Sequence, residues 1–338
     1  MNRTRRRVGL DVKHEGREPR VSAGDMLACA RLAEQLGFDS FWTNEDIGYD
    51  SMAVLSSIAP QTRSIGLGTA IVNVYNRSAL QIAMGIATLD EVSGGRATLG
   101  LSVGHHPWND LGHGIPLEAP LARLREYVAF IRKALSGHPF KHDGRFFQGV
   151  DTRLAFDPVR EAVPIYVGGE RPGMVKLAGQ VADGLILNVV TADYIASFAA
   201  DHFRSSARAA GRDADALELM AIVTICAGAD RAEALSHARA TFMNRLAANP
   251  TKMVATQPEH HDQLRYLADM ITHGHRDQAQ QEASEALVTS LIATGTPSEV
   301  WASIDRYFAA GCTRVVIAPF PRGRAPAEGV LCALAAGL

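Results

Sequence analysis

Two clusters of titratable side chains stand at the ends of expected strands: Glu45–Asp46 after SFWTN, and His105–His106 after ATLGLSVG. An imidazole exchanges its proton near neutral pH without help, and a neighbouring carboxylate can orient it. His105 is thus a candidate general acid or base, with Asp46 or Glu45 holding it or the substrate. The alternative is that His105 and His106 only line a pocket and bind polar substrate groups. A third segment, Gly168–Gly169–Glu170–Arg171–Pro172–Gly173–Met174, ends an apolar run and opens a helical pattern. Free N–H groups and the helix dipole make such a start an anion site, and Arg171 adds charge. Other chemistries find little support. His105, His106 and His113 fit no common metal-ligand spacing. No P-loop occurs, and no lysine stands at the end of an expected strand as a Schiff-base candidate.

The elements that must carry these groups alternate almost from end to end. Apolar runs read as strands over 8–12, 40–43, 65–71, 97–101, 165–167, 184–187, 219–225 and 314–318. Between them lie one-sided helical patterns. Leu121, Leu124, Val128, Ile131 and Leu135, for example, recur at spacings of three and four. Gly37, Gly94–Gly95 and Gly311 are expected to stop helices, and Thr296 with Pro297 and Glu299 to start one. This rhythm is that of a parallel α/β barrel, whose chemistry lies at the carboxyl ends of its strands. Two stretches break it. Residues 138–163 read as a hairpin or irregular excursion, and 247–286 as a helical insertion over one end of the barrel. Trp42 is expected to fill core rather than line the pocket, and Glu91 with Arg96 to form a structural ion pair at the opposite rim.

With 338 residues, 47% of them hydrophobic, the chain can bury a large core, and a single domain spanning 1–338 is expected. Net charge is −2, so bulk electrostatics selects neither nucleic acid nor another charged partner. No apolar window approaches the roughly 20 residues of a membrane span. Arg3 and Arg5–Arg6–Arg7 precede charged residues instead of an apolar run, which suits a solvated arm better than an export signal. Cys29, Cys226, Cys312 and Cys332 are scattered through apolar contexts and read as reduced, buried thiols of a cytoplasmic protein.

The phrases GFDSFWTNED, GLGTAIVNVYNRSA, IATLDEVSGGRATLGLSVG, PIYVGGERPGMVKLAGQVADG and TGTPSEVW resemble the bacterial-luciferase-like superfamily. Within it they are most similar to the deazaflavin branch typified by methylenetetrahydromethanopterin reductase. The resemblance implies a (β/α)8 TIM barrel with a helical insertion near the seventh βα unit, and usually a homodimer. It implies coenzyme F420 as cofactor, with FMN as the alternative found in sister branches. By the same likeness a cis peptide at Ala70–Ile71 would back the ring and Asn73 would bond its pyrimidine side. Val103, Gly104 and Trp108 would adjoin the ring, with Asn109 a further candidate in that loop. Gly168, Gly169, Glu170, Arg171, Gly173 and Met174 would hold the phosphate. The chain departs from the pattern where relatives carry Asp–His after the second strand and an acid after the fourth. Here Glu45–Asp46 and His105 stand in those places, as though acid and imidazole were exchanged across the pocket.

The function implied is hydride transfer between reduced F420 and a small organic acceptor of imine or activated-alkene type. An FMN-dependent monooxygenase and a non-catalytic flavin-binding barrel are the alternatives.

Overall fold

A computed structural model describes residues 6–12, 21–45, 48–104 and 113–338; Asp46, His105, His106, Trp108 and Asn109 lie outside that set. The strands are β1 (Val8–Asp11), β2 (Ser40–Thr43), β3 (Gly66–Thr69), β4 (Val72–Asn73), β5 (Ala97–Ser102), β6 (Phe140–Asp143), β7 (Gln148–Thr152), β8 (Ile165–Gly168), β9 (Gly184–Asn188), β10 (Glu218–Ala227), β11 (Ile292–Gly295) and β12 (Arg314–Pro319). Eight of them, β1-β2-β3-β5-β8-β9-β10-β12, pair in parallel, and β12 returns to β1. The sheet is therefore a closed (β/α)8 barrel. Each expected strand coincides with one of these eight, and 138–163 contains the antiparallel hairpin β6–β7.

Strand β11 was not foreseen. Its four residues follow directly on the helix Glu285–Leu291, with no turn signal between them. It pairs with Thr224–Ala227 of β10, on the edge that β9 occupies only as far as Ile222. The carboxyl rim is thus widened between β9 and β10.

Alternation along the strands sorts side chains into two cores. Leu10, Phe41, Leu67, Leu99, Val167 and Leu187 face outward against the helices. Trp42, Ala70, Tyr166, Ile186, Met220, Ile222, Val316 and Ala318 form the interior. Trp42 is core, as expected, and its indole donates to Ser40 Oγ at 2.8 Å. Glycines make room for it: a Cβ on Gly68 would lie 2.2 Å from the Trp42 ring.

Local signals mostly act as read. Gly37 and Gly94 take left-handed conformations at φ 90° and 67°, while Ala310 caps the helix Pro297–Ala309 and Gly311 follows at φ 105°. Glu299 Oε2 accepts the Thr296 N–H at 2.7 Å. Three expectations need correction. Leu121, in the first turn of the helix Pro120–Leu135, is 41% exposed because its stripe meets the barrel only from Leu124 onward. Cys332 is exposed on the helix Arg324–Leu334, although the other three thiols are buried. Arg96 pairs with no carboxylate among the described residues and instead donates to the carbonyls of Ala59, Thr62, Ile65 and Ser93. The ion pair at that turn is Asp90–Arg160, with Nε to Oδ2 at 2.8 Å.

The amino ends of the strands are closed by charge. Arg7 pairs with Glu218 and, at 3.4 Å, with Asp39; Arg314 reaches Asp39 at 3.2 Å and Glu218 at 3.5 Å. A cavity of about 350 Å³ adjoins this network, lined by Arg7, Asp39, Arg96, Arg160 and Arg314 among others. It lies at the end of a barrel that stabilises rather than reacts.

Candidate active site

The carboxyl rim differs in kind from the interior beneath it. Inward positions there carry small or polar groups: Asp11 on β1, Ala70 beyond β3, Ser102 on β5, Gly168 on β8, Asn188 on β9 and Ala318 on β12. The interior below holds Trp42, Tyr166, Ile186, Met220 and Val316. The rim is thus lined by smaller and more polar groups than the apolar floor beneath it.

The Ala70–Ile71 peptide is cis. Ala70 N–H donates to Thr43 O at 2.8 Å, and Glu45 N–H donates to Ile71 O at 3.0 Å, so the β2 loop grips the segment from one side. On the other side, a Cβ on Gly168 would lie 2.9 Å from Ile71 Cγ2. The Ser102 hydroxyl donates to Gly168 O at 2.8 Å and ties β5 to β8 at the same level.

Glu45 is committed to its neighbours. Its Oε1 accepts from Arg77 Nε and Nη2 at 3.0 and 2.7 Å, and its Oε2 accepts from the Ser51 hydroxyl at 3.2 Å. Arg77 also reaches Asp50 Oδ2 at 2.6 Å. Burial raises the Asp50 carboxyl, but hydrogen bonds from Arg77 and the Ala53 N–H outweigh it and hold the pKa below its usual value. Asn73 is buried, and within its loop Oδ1 accepts from Tyr75 N–H at 3.0 Å while Nδ2 donates to Asn76 at 3.1 Å. Val103 and Gly104 extend β5 at the rim, half-buried.

The segment from Gly168 leads into the helix Pro172–Val181, whose start no side chain caps. Gly169 takes φ 153°, and its N–H goes to Ile186 O at 3.1 Å, so that N–H is not free for an anion. Met174 is buried beneath the loop, and a Cβ on Gly169 would meet its Cγ at 2.4 Å. Arg171 is exposed, and Glu170 pairs with Lys252 at 3.1 Å. A cavity of about 250 Å³ lies here, lined by Glu170, Arg171, Pro172, Tyr194, Phe198, Lys252, Ala255 and Thr256.

Three rim residues escaped the sequence reading. Asp11 is fully buried at the end of β1, and the lone carboxylate closing VGLD, two residues after Gly9, was the available signal. Arg245 and Arg322 are buried at 7% and 6% exposure. Both guanidinium groups lie over Phe320, at 5.3 and 3.8 Å from its ring centroid. They belong to the helix Arg231–Ala248 and to the loop after β12, and no sequence signal links elements so far apart. Among the described residues no cluster could hold a metal ion, and no helix is long and apolar enough to cross a membrane.

A parallel barrel with a rim of small and polar groups defines a class, and comparison defines the family. Residues 6–314 match the luciferase-like monooxygenase family, and the chain belongs to it. It is 30% identical to 5,10-methylenetetrahydromethanopterin reductase of Archaeoglobus fulgidus over 85% of this chain and 86% of that one. With the enzyme of the same name from Methanolobus tindarius it shares 32% identity over 85% and 87% of the two chains. Among solved structures, the coenzyme F420 dependent tetrahydromethanopterin reductase from Methanopyrus kandleri superposes with a TM-score of 0.82 at 25% identity, covering 98% of each chain.

Proposed function

We propose that this chain is an F420-dependent oxidoreductase that moves a hydride between reduced deazaflavin and a small organic acceptor, an imine or activated alkene. The observation that carries the reading is the likeness to the Methanopyrus reductase along nearly the whole chain, joined to a rim lined by small and polar side chains. When bound, F420 supplies two-electron hydride chemistry.

The protein's own part is positional and acid–base. Ala70 and Ile71 offer main chain as the backing of the ring, braced by the hydrogen bonds from Glu45 and to Thr43. Ser102 and Gly168 keep the seat shallow. The start of the helix Pro172–Val181, with Arg171 and Lys252 beside it, receives the cofactor's phosphate. Asp11 and His105 are the groups assigned to hold or move a proton at the acceptor. Glu45 acts as a positioning residue through Arg77.

Fluorescence-quenching titration of the purified protein with F420 and with FMN tests the reading. Binding of F420 at micromolar concentration with weaker FMN binding is expected. Tight FMN binding with oxygen consumption on adding reduced FMN would replace the proposal with a monooxygenase.

A further inference from the structure

The cavity of about 350 Å³ at the amino ends of the strands lies at the opposite end of the barrel from the rim, and the proposed reaction does not use it. Its volume falls within the range of small-molecule sites, about 300–1,000 Å³. Four arginines line it, Arg7, Arg96, Arg160 and Arg314, against one carboxylate, Asp39. Both oxygens of Asp39 are engaged. Oδ1 accepts from the Ser40 hydroxyl at 2.9 Å, and Oδ2 faces Arg7 Nε at 3.4 Å and Arg314 Nε at 3.2 Å. Glu218 takes Arg7 Nη1 and, at 3.5 Å, Arg314 Nη2. Asp90 takes Arg160 Nε at 2.8 Å and shares Nη2 with Ala97 O. One nitrogen of each guanidinium is left over: Arg7 Nη2, Arg160 Nη1 and Arg314 Nη1 have no partner among the described residues. The Thr98 hydroxyl, on the interior face of β5, also lacks one there. Arg314 is buried with its guanidinium 5.5 Å from the Trp42 ring centroid, which fixes its direction. Arg96 adds positive charge without a donor, because the Thr62 hydroxyl and four carbonyls already occupy its nitrogens.

We propose that this cavity binds a phosphate group as a stabilising, non-catalytic ligand at the base of the barrel. The pattern of leftover nitrogens selects the shape of the anion. A planar carboxylate is gripped best by two nitrogens of one guanidinium, and none of these arginines keeps two unengaged. A tetrahedral oxyanion has diverging oxygens and can accept a single N–H from each of several directions. The three nitrogens come from three places in the chain: Arg7 just before β1, Arg160 before β8, and Arg314 at the start of β12. A phosphate held among them would tie those segments together where the barrel closes. The shared chemistry is the phosphate group, supplied by the free ion or by a small phosphate monoester. The inference is independent of the function proposed above.

Thermal melting at constant ionic strength tests it, with inorganic phosphate, glycerol phosphate or acetate added to the purified protein. For wild type, each tenfold increase in phosphate beyond half-saturation is expected to raise the melting midpoint by roughly 2 °C. Acetate is expected to leave it unchanged. A lower half-saturating concentration for glycerol phosphate assigns a monoester, and a higher one assigns the free ion. Thr98→Asp places a carboxylate among the arginines as an internal competitor. It is expected to melt at or above the wild-type temperature without phosphate and to show no further rise with it. Arg7→Gln removes one donor from an exposed side chain and leaves Arg314 on Asp39 and Glu218. It is expected to raise the half-saturating phosphate concentration about tenfold or more, and it decides the matter should Thr98→Asp not fold. No phosphate-dependent rise in wild type overturns the proposal. An equal rise with acetate does so too. A rise undiminished in the variants also overturns it, because the anion then acts elsewhere, at the rim or through the solvent.

Discussion

Replacing Glu45 by Gln separates a clamp from a catalyst. The Glu45 and Arg77 side chains are 11% and 18% exposed, so their pair is only partly screened by water. Gln retains one carbonyl acceptor but loses the charge, and a hydrogen bond to a charged group is worth about 1.5–3 kcal/mol. Arg77 keeps Asp50 at 2.6 Å. The net cost is therefore at the lower end, about 1–2 kcal/mol, which in a chain of this length lowers the melting midpoint by roughly 1.5–3 °C. The Glu45 N–H still reaches Ile71 O, so the seat at the rim survives. Turnover is expected to fall less than about tenfold with both limbs of its pH profile in place, whereas loss of a general acid or base typically costs about 10²–10⁴-fold. Thermal denaturation and a pH–rate profile of Glu45→Gln measure the two quantities. Unchanged stability together with a hundredfold loss and a displaced pH limb would refute the positional role.

The barrel interior, the outer loops and the proton donor each give a further test. Gly68→Ala drives a methyl to within 2.2 Å of the buried Trp42 ring, an overpacking expected to cost about 1–3 kcal/mol or more in urea denaturation; a cost near zero would mean the indole lies elsewhere. Burial raises the Glu34 carboxyl, but the N–H groups of Ser64, Ile65 and Arg63 overcome it and lower the pKa from 4.5 to about 2. That stability is present above the unfolded value near 4.5 and is lost as pH falls towards 2. Discounted for solvent exposure, it amounts to about 1–2 kcal/mol. Glu34→Gln should flatten the acid limb of a stability–pH curve, and an unaltered limb would contradict the assignment. His105→Gln should cut turnover by about 10²-fold or more while leaving the F420 dissociation constant nearly intact, and wild-type turnover would remove His105 from the mechanism.

The sequence by itself determined the parts of this protein that depend on neighbours along the chain. Period-two apolar runs, helical stripes, glycine stops and the Thr296–Glu299 box are local, and each fixes an element before any packing occurs. They sufficed for eight barrel strands and for the rim loops that follow from them. The register of Ala70–Ile71 against the strands beside it and the fate of each side chain were decided only in three dimensions. Glu45 looked like free acid until Arg77, 32 residues on, was placed against it. Arg96 looked like the partner of Glu91 until unpaired carbonyls at the amino rim claimed it. Asp11, Arg245 and Arg322 carried no motif, because what distinguishes them is burial, and burial depends on which distant elements meet. Closure of the barrel brings those elements together, through contacts that no window of sequence contains.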